Sequence, residues 1–192
     1  MKRKRKILVL LGSPRRKGNS ALLAERIAEG ARAEGAEVAF VSLHEAGIAP
    51  CRGCGACQKP GSRGCAVDDA MQALYPQMIA ADAWVVASPV YWFTVSAQTK
   101  AWMDRCYALP AYAAEPFKGK RIAIAMSYGG DDPFDSGCVN ALRTFQDAYR
   151  YAGAEIVGFV YGSAAGAGEI KKNKAVMAAA EELGRQLALG AR

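Results

Sequence analysis

At 192 residues the chain is long enough for one domain with a substantial core and short for two. Hydrophobic residues make up 52% and charged residues 22%, a globular composition that excludes disordered and fibrous classes. The net charge of +7 raises nucleic-acid binding, but five of the 25 Lys and Arg fall within residues 1–6 and the rest are dispersed.

No helix-turn-helix, zinc-finger or RNA-binding aromatic signature follows, so no nucleic-acid partner is expected. The apolar run after the basic start ends at Leu11, too short for a signal core, and nothing approaches the roughly 18 apolar residues of a membrane span. The expectation is a cytoplasmic protein with no membrane partner. In that compartment six cysteines favour metal or redox chemistry over structural disulfides.

In chain order, residues 7–11 read as a strand buried on both faces. A loop rich in Gly, Arg and Asn follows, then a helix capped by Asn19 or Ser20 and running to about Glu34, with Leu22, Leu23, Ile27 and Ala31 on one face. Residues 38–43 read as the second strand. A Cys-rich insertion at about 44–67 replaces a simple loop, and a loop of that length is usually functional. Asp68 and Asp69 suit the start of a helix that buries Met71, Leu74, Met78 and Ile79.

Residues 83–88 read as the third strand, followed by an aromatic loop and a helix over 96–108. A fourth strand over 121–127, a helix over 135–151, a fifth strand over 155–161 and a closing helix over 173–189 complete the chain. Five apolar strands alternating with helices predict a single 1–192 α/β domain, a doubly wound five-stranded parallel sheet in three α/β/α layers. Ligands of such sheets bind outside the carboxyl ends of the strands, where the strand order reverses.

Three strand ends carry unusual chemistry. In Gly12-Ser-Pro-Arg-Arg-Lys-Gly-Asn-Ser20, backbone N–H groups and a helix start converge on one small volume suited to an anion. Ser13, Asn19 and Ser20 add polar donors, and Gly18 lets the backbone close round an oxyanion. Arg15, with Arg16 and Lys17, can face that anion. The loop has no Gly-Lys-Ser/Thr triplet and no GxGxxG pattern, so a terminal monophosphate fits best. Pro89, Val90, Tyr91, Trp92 and Phe93 place three aromatics straight after a buried strand, where a flat ligand could stack. Ser127, Tyr128, Gly129 and Gly130 form a second loop able to approach a ring edge.

Gly12-Ser-Pro-Arg with Gly18-Asn-Ser20, then Ser88-Pro-Val-Tyr-Trp-Phe93 and Lys100-Ala-Trp-Met-Asp-Arg105, resemble the NAD(P)H-dependent FMN reductase group of the flavodoxin superfamily over nearly the whole chain. The resemblance implies a flavodoxin-like fold, FMN phosphate in the first loop, the isoalloxazine between the two later loops, and NAD(P)H as co-substrate. It also implies a small-molecule or protein electron acceptor and a homodimer or homotetramer. A different class, a flavodoxin-like electron carrier or an FMN-binding module without nicotinamide turnover, remains the alternative. Lys100, Asp104 and Arg105 are expected to orient their helix or a subunit contact and not to touch the flavin.

Cys51-x2-Cys54-x2-Cys57-x7-Cys65 packs four thiols into fifteen residues, close enough in sequence to converge on one metal centre. The motif resembles that of the iron–sulfur flavoproteins, a branch of the same family, which implies a 4Fe–4S cluster. Spacing is equally compatible with structural zinc or with free redox thiols. Cys106 and Cys138 fall outside the motif and read as ordinary buried residues. His44 is the only histidine, so a Ser or Cys hydrolase mechanism finds no clear base, and no side chain is assigned as catalytic.

Overall fold

Alternate residues of the central strands face opposite ways, and each set meets its own helices. Ile7, Val9, Ala83, Val85, Ala87, Ala123 and Ala125 pack against Leu22, Leu23, Ile27, Leu183 and Leu187 on one side. Leu8, Leu10, Trp84, Val86, Ile122, Ile124 and Met126 pack against Met71, Tyr75, Met78, Trp102 and Phe145 on the other. The strands are therefore apolar throughout because both faces are covered.

These features come from a computed structural model that describes residues 3–189. The first two residues of the basic run, and the two ends of the expected 1–192 domain, lie outside the described residues. The strands are β1 (Lys6–Leu11), β2 (Glu37–Ser42), β3 (Ala83–Tyr91), β4 (Thr94–Val95), β5 (Arg121–Tyr128) and β6 (Glu155–Ser163). The helices are α1 (Asn19–Ala33), α2 (Leu43–Ala46), α3 (Met71–Ala80), α4 (Ala97–Arg105), α5 (Cys138–Ala152) and α6 (Lys174–Leu189).

The parallel order β2-β1-β3-β5-β6 is that of a flavodoxin-like sheet, reversing between β1 and β3. The sheet has six strands where five are expected from the sequence. The sixth, β4, is two residues long and antiparallel to the end of β3, with Tyr91 opposite Thr94 and Val90 opposite Val95.

Several boundaries move for local reasons. β3 continues through Pro89 to Tyr91, because Pro89 pairs with β5 opposite Ser127 and Tyr91 enters the hairpin. α1 is preceded by Gly18 in extended conformation, with no side-chain cap from Asn19 or Ser20. α5 starts at Cys138 and not at residue 135, because the Asp132 carboxylate accepts from the Phe134 and Asp135 N–H groups and winds 132–137 into a turn. α4 stops at Arg105 and continues as a 3-10 turn over Cys106–Ala111.

α1 and α6 touch at backbone distance. A Cβ on Gly30 would collide with the Glu181 carbonyl group, and one on Gly184 with that of Ile27. Glycine at both positions lets the helices close.

Candidate functional site

The carboxyl ends of β1, β3 and β5 lie side by side, because Leu11 pairs with Ala87 and Pro89 with Ser127. The loops they release, 12–20, 90–95 and 128–137, therefore line one edge of the sheet across its switch point.

In the first loop the Gly18 N–H donates to the Arg15 carbonyl oxygen (3.0 Å) and the Arg15 N–H to Ser13 Oγ (3.1 Å), which folds 13–18 tightly. A Cβ on Gly18 would sit 2.9 Å from Ser13 Oγ and 3.1 Å from the Arg15 carbonyl oxygen, so glycine leaves the Ser13 hydroxyl undisplaced. The first intrahelical bond of α1 runs from Leu22 N–H to Gly18 O (3.0 Å), which leaves the Asn19, Ser20 and Ala21 N–H groups without helical acceptors. Ser20 is buried, and its hydroxyl has no protein hydrogen-bond partner among the described residues. A cradle closed by glycine, free N–H groups and an unspent hydroxyl fit a phosphate group.

The other candidates in this loop stand differently. Arg15 and Lys17 are exposed, and Arg16 is paired with Glu45 at 2.6 Å. The Asn19 side chain is used elsewhere: its amide donates to Ala164 O (3.1 Å) and Gly166 O (2.9 Å) and accepts from Ile170 N–H (3.3 Å). It fastens the loop after β6 to the start of α1, so Asn19 holds the cradle from behind while its side-chain donors are already occupied.

The second loop is a two-residue hairpin with Trp92 at φ 46° and Phe93 at φ 66°. Positive φ at both central positions is a turn usually made by Asn and Gly, and bulky residues there are strained. The hairpin tip rests on the start of α5, where Gly137 leaves no room for a Cβ beside the Phe93 backbone. Trp92 is 92% exposed and Phe93 54%, so the aromatic faces are presented to solvent at the site edge.

In the third loop Ser127 and Tyr128 are buried at the end of β5, and the exposed part is Gly129 and Gly130. Space above Gly129 is open, whereas Gly130 is packed against Ser136. The backbone at Gly129 can thus be approached by a flat ring.

Beneath the three loops runs a buried hydroxyl chain that motif reading had not singled out. Ser96 Oγ donates to Gly12 O (2.7 Å), its N–H donates to Ser88 Oγ (3.0 Å), and it lies 2.9 Å from Thr99 Oγ1. Ser96 also caps α4 through the Thr99 N–H. The Ser-x-x-Thr spacing at that helix start was the available signal.

The four motif cysteines are placed differently from expectation. Cys51 and Cys54 are exposed, Cys57 and Cys65 half-buried, and among the described residues no three Cys, His, Asp or Glu groups are gathered as a metal site. As folded here the thiols do not fit a cluster. Their segment is instead anchored at its base by Arg105, which is 1% exposed. Its guanidinium donates to the Ala49 and Val67 carbonyl oxygens and to both oxygens of Asp69 (2.7 and 2.9 Å). Burial alone would raise the Asp69 pKa, but hydrogen bonds from Arg105 and from the Ala49 and Met71 N–H groups outweigh it and hold the carboxyl below its ordinary range.

Lys100 pairs with Asp104 on the α4 surface at 2.7 Å. Cys138 is buried, which pushes its thiol up to about 11, and Cys106 is half-buried with its thiol raised for the same reason. His44 is exposed on α2. A cleft of about 1040 Å³ lies away from the three loops, between Cys51, Met103, Tyr107, Phe117 and the Tyr149–Gly153 end of α5. No helix among the described residues is long and apolar enough to cross a membrane.

An iron–sulfur flavoprotein of Archaeoglobus fulgidus is 39% identical over 125 residues, covering 65% of this chain and 62% of the relative. The chain thus spans under two thirds of that relative. One from Methanosarcina thermophila is 33% identical over 154 residues, covering 80% of this chain and 77% of the relative. Among solved structures, an NAD(P)H:quinone oxidoreductase from Methanothermobacter marburgensis superposes with TM-score 0.75 at 17% identity, covering 99% of both chains, and speaks for the fold alone. The family described as NADPH-dependent FMN reductase matches residues 5–170, which takes in all three loops and the Cys-rich segment. With that match over most of its length, the chain belongs to the NADPH-dependent FMN reductase family.

Proposed function

We propose that the protein is an FMN-dependent oxidoreductase that takes hydride from NADH or NADPH and passes electrons to a small-molecule or protein acceptor. The observation that carries this is the row of three loops at the switch point: an anion cradle, a strained aromatic hairpin and an open glycine backbone. FMN, when bound, supplies the hydride and electron chemistry.

The protein's own residues bind and orient. Ser13, Gly18, Ser20 and the first N–H groups of α1 hold the phosphate, and Arg15 lies at its rim. Val90 to Phe93 and Ser127 to Gly130 flank the ring and offer backbone groups to its polar edge. Trp92 presents its exposed ring beside the face where a nicotinamide would stack. No side-chain acid or base is needed.

The relatives named iron–sulfur flavoproteins, together with the cysteine spacing, support a metal centre at Cys51, Cys54, Cys57 and Cys65. As folded here these thiols are not assembled, so no electron step is routed through them. Exposed Trp92, Phe93 and Phe134 offer apolar surface for a homodimer or homotetramer in the cytoplasm.

Anaerobic mixing of FMN-loaded protein with NADPH, and separately NADH, tests the function. Rapid bleaching of the flavin absorption is expected with at least one. Bleaching no faster than with free FMN would leave the protein an electron carrier or an FMN-binding module.

A further inference from the structure

Two apolar features sit at opposite ends of α5. At its start the Trp92–Phe93 hairpin rests on Gly137 and stands exposed, with exposed Phe134 on the turn beside it. At its end opens the cleft of about 1040 Å³, whose wall brings together Met103, Tyr107, Pro110, Phe117 and Tyr151. The hairpin leads into α4, and the cleft lies between the far ends of α4 and α5, so both belong to the layer these helices form on one side of the sheet. The 15 residues of α5 separate them by about 22 Å. An apolar projection and an apolar recess on one face make that face complementary to a second copy of itself turned end for end.

The charges agree. The turn under the hairpin, residues 131–137, carries exposed Asp131, Asp132 and Asp135 and no basic residue. At the cleft, the lining residues Asp104 and Glu115 are paired with Lys100 and Lys118. Exposed Arg52, Lys59 and Arg150, each next in sequence to a lining residue, add positive charge there. The hairpin end is thus acidic and the cleft end basic, which favours the end-for-end arrangement over hairpin against hairpin.

Resting on the reading of the chain as a homo-oligomer, we propose that its central contact is a two-fold pairing of α4–α5 layers, in which the Trp92–Phe93 hairpin of each copy enters the cleft of the other. Trp92 and Phe93 are the anchors, and Met103, Tyr107, Phe117 and Tyr151 form the pocket that receives them. A seated aromatic ring buries roughly 150–250 Å² and hides a like area of pocket wall. Over both anchors and both contacts this reaches the roughly 1,200–2,000 Å² of a stable interface. The pairing sets the cleft wall of one copy beside the aromatic side of the other's flavin site, so residues of both chains complete that site.

Sedimentation at micromolar concentration with saturating FMN tests the contact. Wild type should run as a dimer or a multiple of one. W92S removes the main anchor, and Y107D/Y151D spoils the pocket at two exposed residues away from the three loops. Each should weaken self-association at least tenfold, as expected when an aromatic anchor or its pocket is lost. Mixed in equal amounts the two should associate again, because the intact cleft of the first receives the intact hairpin of the second. A hairpin packed on a hairpin gains nothing from mixing.

Trp92 also flanks the flavin, so a second measurement stands if W92S does not fold. A benzophenone side chain in place of Trp92, in a mixture of isotopically distinct copies, should on irradiation join residues 103–118 or 148–153 of the second copy. Capture within residues 90–95 or 131–137 of the second copy, or no rescue on mixing, would overturn this contact and leave the oligomer standing. Wild type that sediments as a monomer would overturn the contact and the homo-oligomer together.

Discussion

The Ser96 hydroxyl donates to the Gly12 carbonyl oxygen at 2.7 Å, joining the start of α4 to the end of β1 across 84 residues of sequence. This bond couples the anion cradle to the aromatic hairpin, since Ser96 follows β4 directly and its N–H holds Ser88. Ser96→Ala would leave the Gly12 carbonyl oxygen and the Thr99 hydroxyl without this partner in a dry site. The expected cost is about 1–3 kcal/mol of stability, read from denaturant midpoints. FMN affinity should fall with it. A variant as stable as wild type would show that the chain of hydroxyls does not hold the loops together.

Within the cradle, Ser20 and Asn19 should behave differently. Ser20→Ala removes an unspent donor, so FMN binding should weaken by about 1–3 kcal/mol while riboflavin binding is unchanged. Asn19→Ala breaks three contacts to residues 164–170 and should lower thermal stability first. Titrations with FMN and riboflavin on both variants separate direct from indirect support. Equal affinity of wild type for the two flavins would remove the phosphate assignment.

The hairpin stores strain that can be released. Exchanging Trp92-Phe93 for Asn-Gly supplies the residues this turn favours, and the apoprotein should gain about 1–2 kcal/mol. The same exchange removes the aromatic wall, so flavin affinity should fall at least tenfold. Calorimetry of the apoprotein reads the first effect and flavin fluorescence the second. A less stable variant would mean that the aromatic packing on Gly137 outweighs the backbone cost.

Acid should open the base of the cysteine segment. Asp69 titrates below its ordinary range when folded, so its contribution is complete above the unfolded value of about 3.9 and is lost as pH falls through the lower folded value. Unfolding followed by circular dichroism should show stability dropping in that window. Asp69→Asn should flatten the drop, at the expense of stability at neutral pH where Arg105 loses its charge partner. Parallel acid curves for the two proteins would contradict the assignment.

The apolar runs at residues 7–11, 83–88 and 121–127 made the sheet legible, because strands covered on both faces carry a continuous signal. The cradle was legible because its donors follow one strand directly. β4 was hidden, since Trp-Phe is the opposite of ordinary turn chemistry and the fold overrides local preference there. The partners of the Asn19 side chain were hidden, because they lie 145 and more residues away. The cysteine spacing reports which thiols could meet but carries no information on Arg105, which decides where their loop begins and ends. Gly30 and Gly184 stand inside helices, where glycine is intrinsically unfavourable, and the α1–α6 contact explains them.

That contact has a consequence for biosynthesis. Translation delivers the cradle early, but the residues that Asn19 grips emerge 145 positions later, and α6 follows them. Until then α1 has no partner along its glycine notch, and a helix of 15 residues is marginal by itself in water. Flavin capture by a nascent chain should therefore wait for the last helix, so ribosome-bound chains stalled before residue 174 should emerge without cofactor.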